Sequence, residues 1–127
     1  MPLKLSLKPG ESFVVNGAVV RNGDRRGVLL LENRARVLRE KDVMQPEEAT
    51  TPAKAAYFAV MQMYLLGEKT GPLHLQAQEA LSALLRTLPK GPSRAPVLAV
   101  SAALAAGNLY GALSRCRKLV QSESEAA

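Results

Sequence analysis

The chain has 127 residues and a mass of 13.6 kDa, which fits one domain or two very small domains that share a core. Hydrophobic residues make up 47% and charged residues 22%, values that are typical of globular proteins and exclude a disordered chain. The net charge of +6 favours a polyanionic partner such as a nucleic acid. Aromatic residues make up only 4%, which argues against a surface that stacks many bases on aromatic rings.

The single cysteine and the single histidine limit the chemistry of the chain. One cysteine, Cys116, forms no internal disulfide, and neither residue type is numerous enough for a multi-cysteine or multi-histidine metal site. Cys116 lies on the apolar stripe of a predicted helix, which favours a buried structural thiol. His74 has no serine or cysteine nearby that is placed as a nucleophile. We therefore predict neither a metal nor a cofactor.

A phosphate-binding loop is also excluded. Lys69 and Thr70 resemble the end of such a loop, but Met63 and Glu68 stand where the motif requires glycines. With no other catalytic motif in the sequence, we predict that the chain is not an enzyme.

No segment predicts export or membrane insertion. Lys4 and Lys8 interrupt the apolar residues at the N-terminus, so the hydrophobic region of a signal peptide is lacking. No stretch approaches the roughly 20 apolar residues that span a bilayer. We expect a cytoplasmic protein that makes no contact with a membrane.

Residues 1–48 predict a small antiparallel β-sheet. Leu3, Leu5 and Leu7 alternate with polar residues, a period of two that is typical of a half-buried strand. Asn16-Gly17 is typical of a tight turn with positive φ angles. About five strands joined as a meander are predicted, over residues 3–7, 13–15, 18–20, 28–31 and 35–39.

Residues 49–127 predict helices. Thr51 and Pro52 are typical of a helix N-terminus, and Gly67 of the position just after a helix. Further helices are predicted over residues 73–88, 94–106 and 109–121, with a frayed tail at 122–127. The predicted fold class is α+β, with a β region at 1–48 that binds RNA and three to four helices at 49–127 that serve as a scaffold or bind a partner.

Basic residues are concentrated in the second half of the β region. Residues 21–41 hold seven basic and three acidic residues. By the period of two, Arg34 and Arg36 are expected to share one face of a strand, and Arg25 and Arg26 to lie in a loop. Arginine suits phosphate because its planar fork donates two parallel hydrogen bonds. The alternative is a solvated sheet face with cross-strand ion pairs.

Over nearly its whole length the chain resembles the FlbT family of flagellar regulators. The matching stretches are LKLSLKPGE (3–11), NGA (16–18), RNGDRR (21–26), LREKD (38–42), MQPEEA (44–49) and the segment from Tyr57-Phe58 to Tyr64-Leu65. The resemblance implies a cytoplasmic post-transcriptional regulator that associates with the 5′ untranslated region of flagellin mRNA. Such a protein represses translation and promotes transcript decay, and it works beside a second regulator, FlaF.

The β region is also distantly similar to the carbon storage regulator family of intertwined β-sheet dimers, which bind RNA loops. The similarity is carried by LSLKPGE (5–11) and VLRE (37–40). It implies RNA contacts from Ser6 and Lys8 on the first strand and from Arg39 after the last. Leu7 and Leu38 depart from that family, which expects a basic residue and a polar ring there.

A β unit of about 45 residues buries too little surface to be stable alone, so a homo-oligomer, with a dimer favoured, is expected. Two classes of function remain. The first is an RNA-binding repressor whose RNA-binding residues are Ser6, Lys8, Arg25, Arg26, Arg34, Arg36 and Arg39. The second is a protein-binding adaptor, associated with flagellin or FlaF, that acts on mRNA indirectly.

Overall fold

The computed structural model describes residues 3–126. Five strands come first: β1 (Leu3–Leu7), β2 (Ser12–Val15), β3 (Ala18–Arg21), β4 (Gly27–Leu31) and β5 (Val37–Arg39). Four helices follow: α1 (Pro52–Leu66), α2 (Pro72–Thr87), α3 (Ala95–Ala105) and α4 (Leu109–Ala126). Short 3-10 turns lie at Glu40–Asp42, Pro46–Glu48 and Pro92–Arg94. The predicted α+β class is confirmed. Contacts divide the chain into two compact units, the first ending at Val43 and the second beginning at Met44.

The strands of the first unit form two small antiparallel sheets, so the predicted meander is wrong. β1 pairs with β4, and β2 lies between β3 and β5. The register puts Leu5 opposite Leu29 and Leu3 opposite Leu31. Because directly opposite residues point to the same face, this pairing gathers the leucines of both strands on one side. A pairing of β1 with β2 would need only a short connection and would cost less chain entropy. Burying the leucine face stabilises the unit by more than this saving.

The core of the first unit lies where the apolar faces of the two sheets meet. Phe13 is 2% exposed and is the only aromatic ring among the core residues of this unit. The buried and half-buried side chains that pack together are Leu5, Leu7, Phe13, Val15, Leu29, Leu31 and Val37. This core is small, in keeping with the surface-to-volume ratio of a unit of this size.

The tight turn between β2 and β3 has the predicted geometry. Asn16 has a φ of 50° and Gly17 a φ of 86°, the left-handed values that a two-residue hairpin requires. The side chain of Asn16 also accepts a hydrogen bond from the backbone N–H of Arg36, at 2.8 Å. The hairpin turn is therefore tied to the segment that precedes β5.

In the second unit α1 begins and ends where the sequence predicts. The Thr51 hydroxyl accepts a hydrogen bond from the Lys54 N–H at 3.2 Å, and Gly67 adopts the left-handed conformation with a φ of 70°. α1 packs against α2 and α4, and α3 packs against α4 and α2. The largest fully buried side chains are Val60, Met63, Leu81, Val97, Val100, Leu104, Leu113 and Cys116.

The C-terminal segment is helical, so the predicted frayed tail is wrong. α4 continues to Ala126, while Ala127 lies outside the described residues. The carboxylate of Glu123 accepts a hydrogen bond from the hydroxyl of Thr51. This contact joins residues 72 positions apart in the sequence. The small polar residues of the tail do not reveal it, because they predict only local fraying.

Candidate nucleic-acid interface

A shallow groove lies where β1 ends and β4 begins. The antiparallel register places Ser6 opposite Val28 and Leu7 opposite Gly27. Lys8 directly follows β1 and Arg26 directly precedes β4. Both residues therefore flank the same end of the ladder. The groove has a volume of about 330 Å³ and is lined by Ser6, Leu7, Lys8, Arg26, Gly27 and Val28. We call it the Lys8–Arg26 groove.

Three of the predicted RNA-binding residues, Ser6, Lys8 and Arg26, are thus brought together. All three are exposed to solvent, as is Arg25. Within residues 3–126, neither Arg25 nor Arg26 forms an ion pair with a carboxylate. Their guanidinium groups are therefore available to an anionic ligand.

Asn22 holds the arginine loop against the end of β1. Its amide nitrogen donates hydrogen bonds to the carbonyl of Lys8 at 2.8 Å and to the carbonyl of Arg25 at 2.9 Å. The backbone adds Gly10 N–H to the Gly23 carbonyl, also at 2.8 Å. Its side chain is therefore a positioning group for the groove. In the sequence, Asn22-Gly23 is a motif typical of a turn, and this motif does not reveal the two side-chain contacts.

An apolar surface continues from the groove along the outer face of the β1–β4 ladder. Lys4 lies opposite Leu30, as Ser6 lies opposite Val28. Val28 is 58% exposed and Leu30 is 60% exposed. On this face a row of polar side chains on β1, Lys4 and Ser6, therefore lies beside a row of apolar side chains on β4, and neither row holds the aromatic rings that are usual in single-strand binding.

Arg39 has a different environment from the other candidates. Its Nη1 lies 3.1 Å from the carboxylate of Glu11 and 3.1 Å from the carbonyl of Ser6. The pKa of Glu11 is lowered because the Lys8 N–H donates to its carboxylate, at 2.9 Å, and because Arg39 lies beside it. Arg39 is thus held by groups of the first unit and supports β1 next to the groove.

Arg34 and Arg36 do not share a strand face, so that expectation is wrong. β5 begins only at Val37, and both arginines lie in the preceding loop. The backbone of Arg36 pairs with Asn16 in both directions, each at 2.8 Å, and its side chain is half-buried. The β2–β5 register places this loop at the Asn16 end of β2, whereas Glu11 precedes the other end. The structure therefore does not bring Arg34 and Arg36 to the Lys8–Arg26 groove.

The single cysteine and the single histidine of the chain lie in the second unit. Cys116 is fully buried, and burial raises the pKa of its thiol to about 12. His74 is a half-buried residue in the first turn of α2. In the part of the chain that the structure describes, no group of three or more histidine, cysteine, aspartate or glutamate residues is placed to hold a metal ion. None of the helices within residues 3–126 is long and apolar enough to cross a membrane.

Comparison with known proteins assigns the chain to a family. It matches the family described as "Flagellar protein FlbT" over residues 3–127. The "Flagellum biosynthesis repressor protein FlbT" of Caulobacter vibrioides is 49% identical over 125 residues, which cover 98% of this chain and 89% of the relative. A "Probable flagellum biosynthesis repressor protein FlbT" of Rhodopseudomonas palustris is 36% identical over 125 residues, which cover 98% of this chain and 97% of the relative. No solved structure matches the chain significantly. The match extends over nearly the full length of the chain and includes the stretches in which the sequence resembles this family. The chain therefore belongs to the FlbT family.

Proposed function

We propose that this protein is a cytoplasmic RNA-binding repressor of flagellin synthesis that binds the 5′ untranslated region of flagellin mRNA. The names of its relatives, which describe repressors of flagellum biosynthesis, support the repressor role. The observation that carries the RNA-binding part is the meeting of Lys8 and Arg26 in one groove beside an exposed apolar face.

The geometry of the groove suits an unpaired strand of RNA. Lys8 and Arg26 supply positive charge for phosphate, and Ser6 supplies a hydroxyl that both donates and accepts hydrogen bonds. Val28 and Leu30 offer apolar surface that bases cover only when they are unstacked. A loop or other single-stranded region of the leader fits these groups better than a duplex, whose base edges lie in its grooves.

Occupancy of the mRNA leader by the protein is by itself enough to repress flagellin translation. A protein bound to the leader blocks the ribosome from its site, and an untranslated message is exposed to cellular nucleases. No catalytic group is required of this chain. FlaF or flagellin itself would act as a protein partner that couples occupancy to the progress of assembly.

The test is a fluorescence anisotropy titration of a labelled flagellin leader RNA with the full chain. We expect the double variant Lys8→Ala with Arg26→Ala to weaken binding at least tenfold, because two phosphate contacts are lost. The matched control, Arg86→Ala with Lys90→Ala, removes the same charge from exposed positions of the second unit and should bind as the parent does. The proposal fails if the parent does not bind the leader at low salt, or if both double variants lose equal affinity.

One observation supports the alternative function, a protein-binding adaptor that acts on mRNA indirectly. The second unit exposes large apolar side chains: Leu66, Leu75, Leu98 and Tyr110 are 53–63% exposed. Surfaces of this kind are typical of protein contacts when they are contiguous. If the leader RNA binds only after FlaF or flagellin is added to the purified chain, the adaptor function replaces direct recognition.

A further inference from the structure

The outer edge of β3 is an open strand edge. β3 is the terminal strand of the three-stranded sheet, and within residues 3–126 no other strand pairs with its outer side. All four of its residues are exposed, and Val19 is 77% exposed. Natural proteins usually protect such an edge with charged side chains, proline or a bulge. Ala18, Val19 and Val20 carry none of these, and the one charged residue of β3 is Arg21 at its end, so this edge is suited to pairing with another strand.

The hairpin fixes which backbone groups face outward. β2 and β3 pair with Val15 opposite Ala18 and Phe13 opposite Val20, and the Asn22 N–H donates to the Glu11 carbonyl at 2.8 Å. In an antiparallel ladder every second residue bonds to the same neighbour. Ala18, Val20 and Asn22 therefore bond inward to β2 and its extension. The N–H and C=O groups of Val19 and Arg21 point to the open side.

We propose that β3 pairs with β3 of a second copy of this chain, antiparallel and around a two-fold axis at Val20. In this register Val19 of one copy lies opposite Arg21 of the other. Both residues offer a donor and an acceptor, so four backbone hydrogen bonds form and every outward group of the edge is used. The two three-stranded sheets become one continuous sheet of six strands.

The side chains favour a second copy as the occupant. Val20 points to the same face as Phe13 and remains 39% exposed, so Val20 of the second copy, directly opposite, would cover it. On the other face the aliphatic stem of Arg21 would lie across the exposed Val19 of the second copy. No arginine is placed directly opposite another arginine. A strand of only four residues buries far less than the roughly 1,600 Å² of a standard interface, so the dimer should dissociate on dilution.

The first experiment is sedimentation of the full chain over a wide concentration range. We expect a monomer–dimer equilibrium that Val19→Pro weakens roughly tenfold or more, because two of the four hydrogen bonds lose their donor. Proline at this position leaves the bonds between β2 and β3 intact, since the Val19 N–H points outward. The control is Leu30→Lys, which changes another strongly exposed apolar residue, in the other sheet, and should leave the equilibrium unchanged.

A second experiment tests the register. Val20→Cys places two thiols across the two-fold axis in a non-hydrogen-bonded pair, with Cα atoms about 4.5 Å apart, within the range of a disulfide. Diamide should therefore link Val20→Cys into covalent dimers faster than Val19→Cys, although residue 19 is the more exposed. Native Cys116 is buried and does not interfere. The proposal is overturned if the chain is monomeric at all concentrations, if Leu30→Lys dissociates the dimer while Val19→Pro does not, or if Val19→Cys is linked faster than Val20→Cys.

Discussion

Arg39 and Glu11 form an ion pair at 3.1 Å in the first unit, and the same Nη1 of Arg39 donates to the Ser6 carbonyl. The guanidinium therefore connects the end of β5 to β1 and to the residue before β2. Glu11 in turn accepts a hydrogen bond from the Lys8 N–H. The pair fixes the backbone at Ser6 and Lys8, which form the β1 side of the Lys8–Arg26 groove.

This arrangement predicts that Arg39 and Glu11 stabilise β1. We expect Glu11→Ala to accelerate hydrogen exchange at the Lys8 amide, because the acceptor of that N–H is removed. Exposed Glu40, in the turn after β5, is the control, and Glu40→Ala should leave the exchange of Lys8 unchanged. Equal exchange in the two variants would mean that the ion pair contributes nothing to this end of β1.

Acid should weaken the first unit through the same carboxylate. The pKa of Glu11 in the folded chain lies below its ordinary value of 4.5, so the folded state binds fewer protons than the unfolded state in this range. The stabilisation is fully present above pH 4.5 and is lost as the pH falls through the lower folded value. Denaturant midpoints measured between neutral pH and pH 3 should fall more steeply for the parent than for Glu11→Gln. Parallel curves would contradict this prediction.

Salt should weaken RNA binding in a graded manner. If the groove and its flanks contact about four phosphates of a single strand, the logarithm of affinity should fall with the logarithm of salt concentration at a slope of roughly −3. The double variant Lys8→Ala with Arg26→Ala should reduce the magnitude of that slope by about 1.4, since two contacts are removed. Titrations of the leader RNA at four salt concentrations measure both slopes. A variant with weaker binding but the parent's slope would place the phosphate contacts elsewhere.

Thr51 should contribute to the stability of the second unit. Its hydroxyl accepts from the Lys54 N–H at the start of α1 and donates to Glu123 near the end of α4. We expect Thr51→Ala to lower the free energy of unfolding by about 1–2 kcal/mol, as for the loss of other N-caps. Thr50→Ala, at the exposed neighbouring position, should change it by less than about 0.5 kcal/mol. Urea denaturation followed by circular dichroism provides the comparison.

Cys116 should be unreactive in the folded chain. Its side chain is fully buried and its pKa is raised to about 12, so almost no thiolate is present at pH 8. A chromogenic disulfide reagent should label the native chain only as fast as it unfolds and should label it at once in denaturant. Rapid labelling without denaturant would show that α4 opens locally.

Much of the secondary structure could be predicted because its causes are local. Thr51, Pro52 and Gly67 mark the ends of α1, since capping hydrogen bonds and a left-handed residue are properties of a few adjacent positions. Asn16-Gly17 likewise determines a hairpin turn. The family could also be identified, because its motifs are contiguous strings of residues.

The pairing of strands and the grouping of site residues depended on contacts between distant positions. Burial of Leu5 with Leu29 decided that β1 pairs with β4, and the Asn16 side chain decided that Arg36 precedes β5 instead of lying in it. By itself, the sequence determined the α+β class, the ends of α1 and an excess of positive charge. Only the tertiary structure decided that Lys8 and Arg26 share a groove while Arg39 is bound to Glu11, because charge is a property of composition and proximity is a property of the fold.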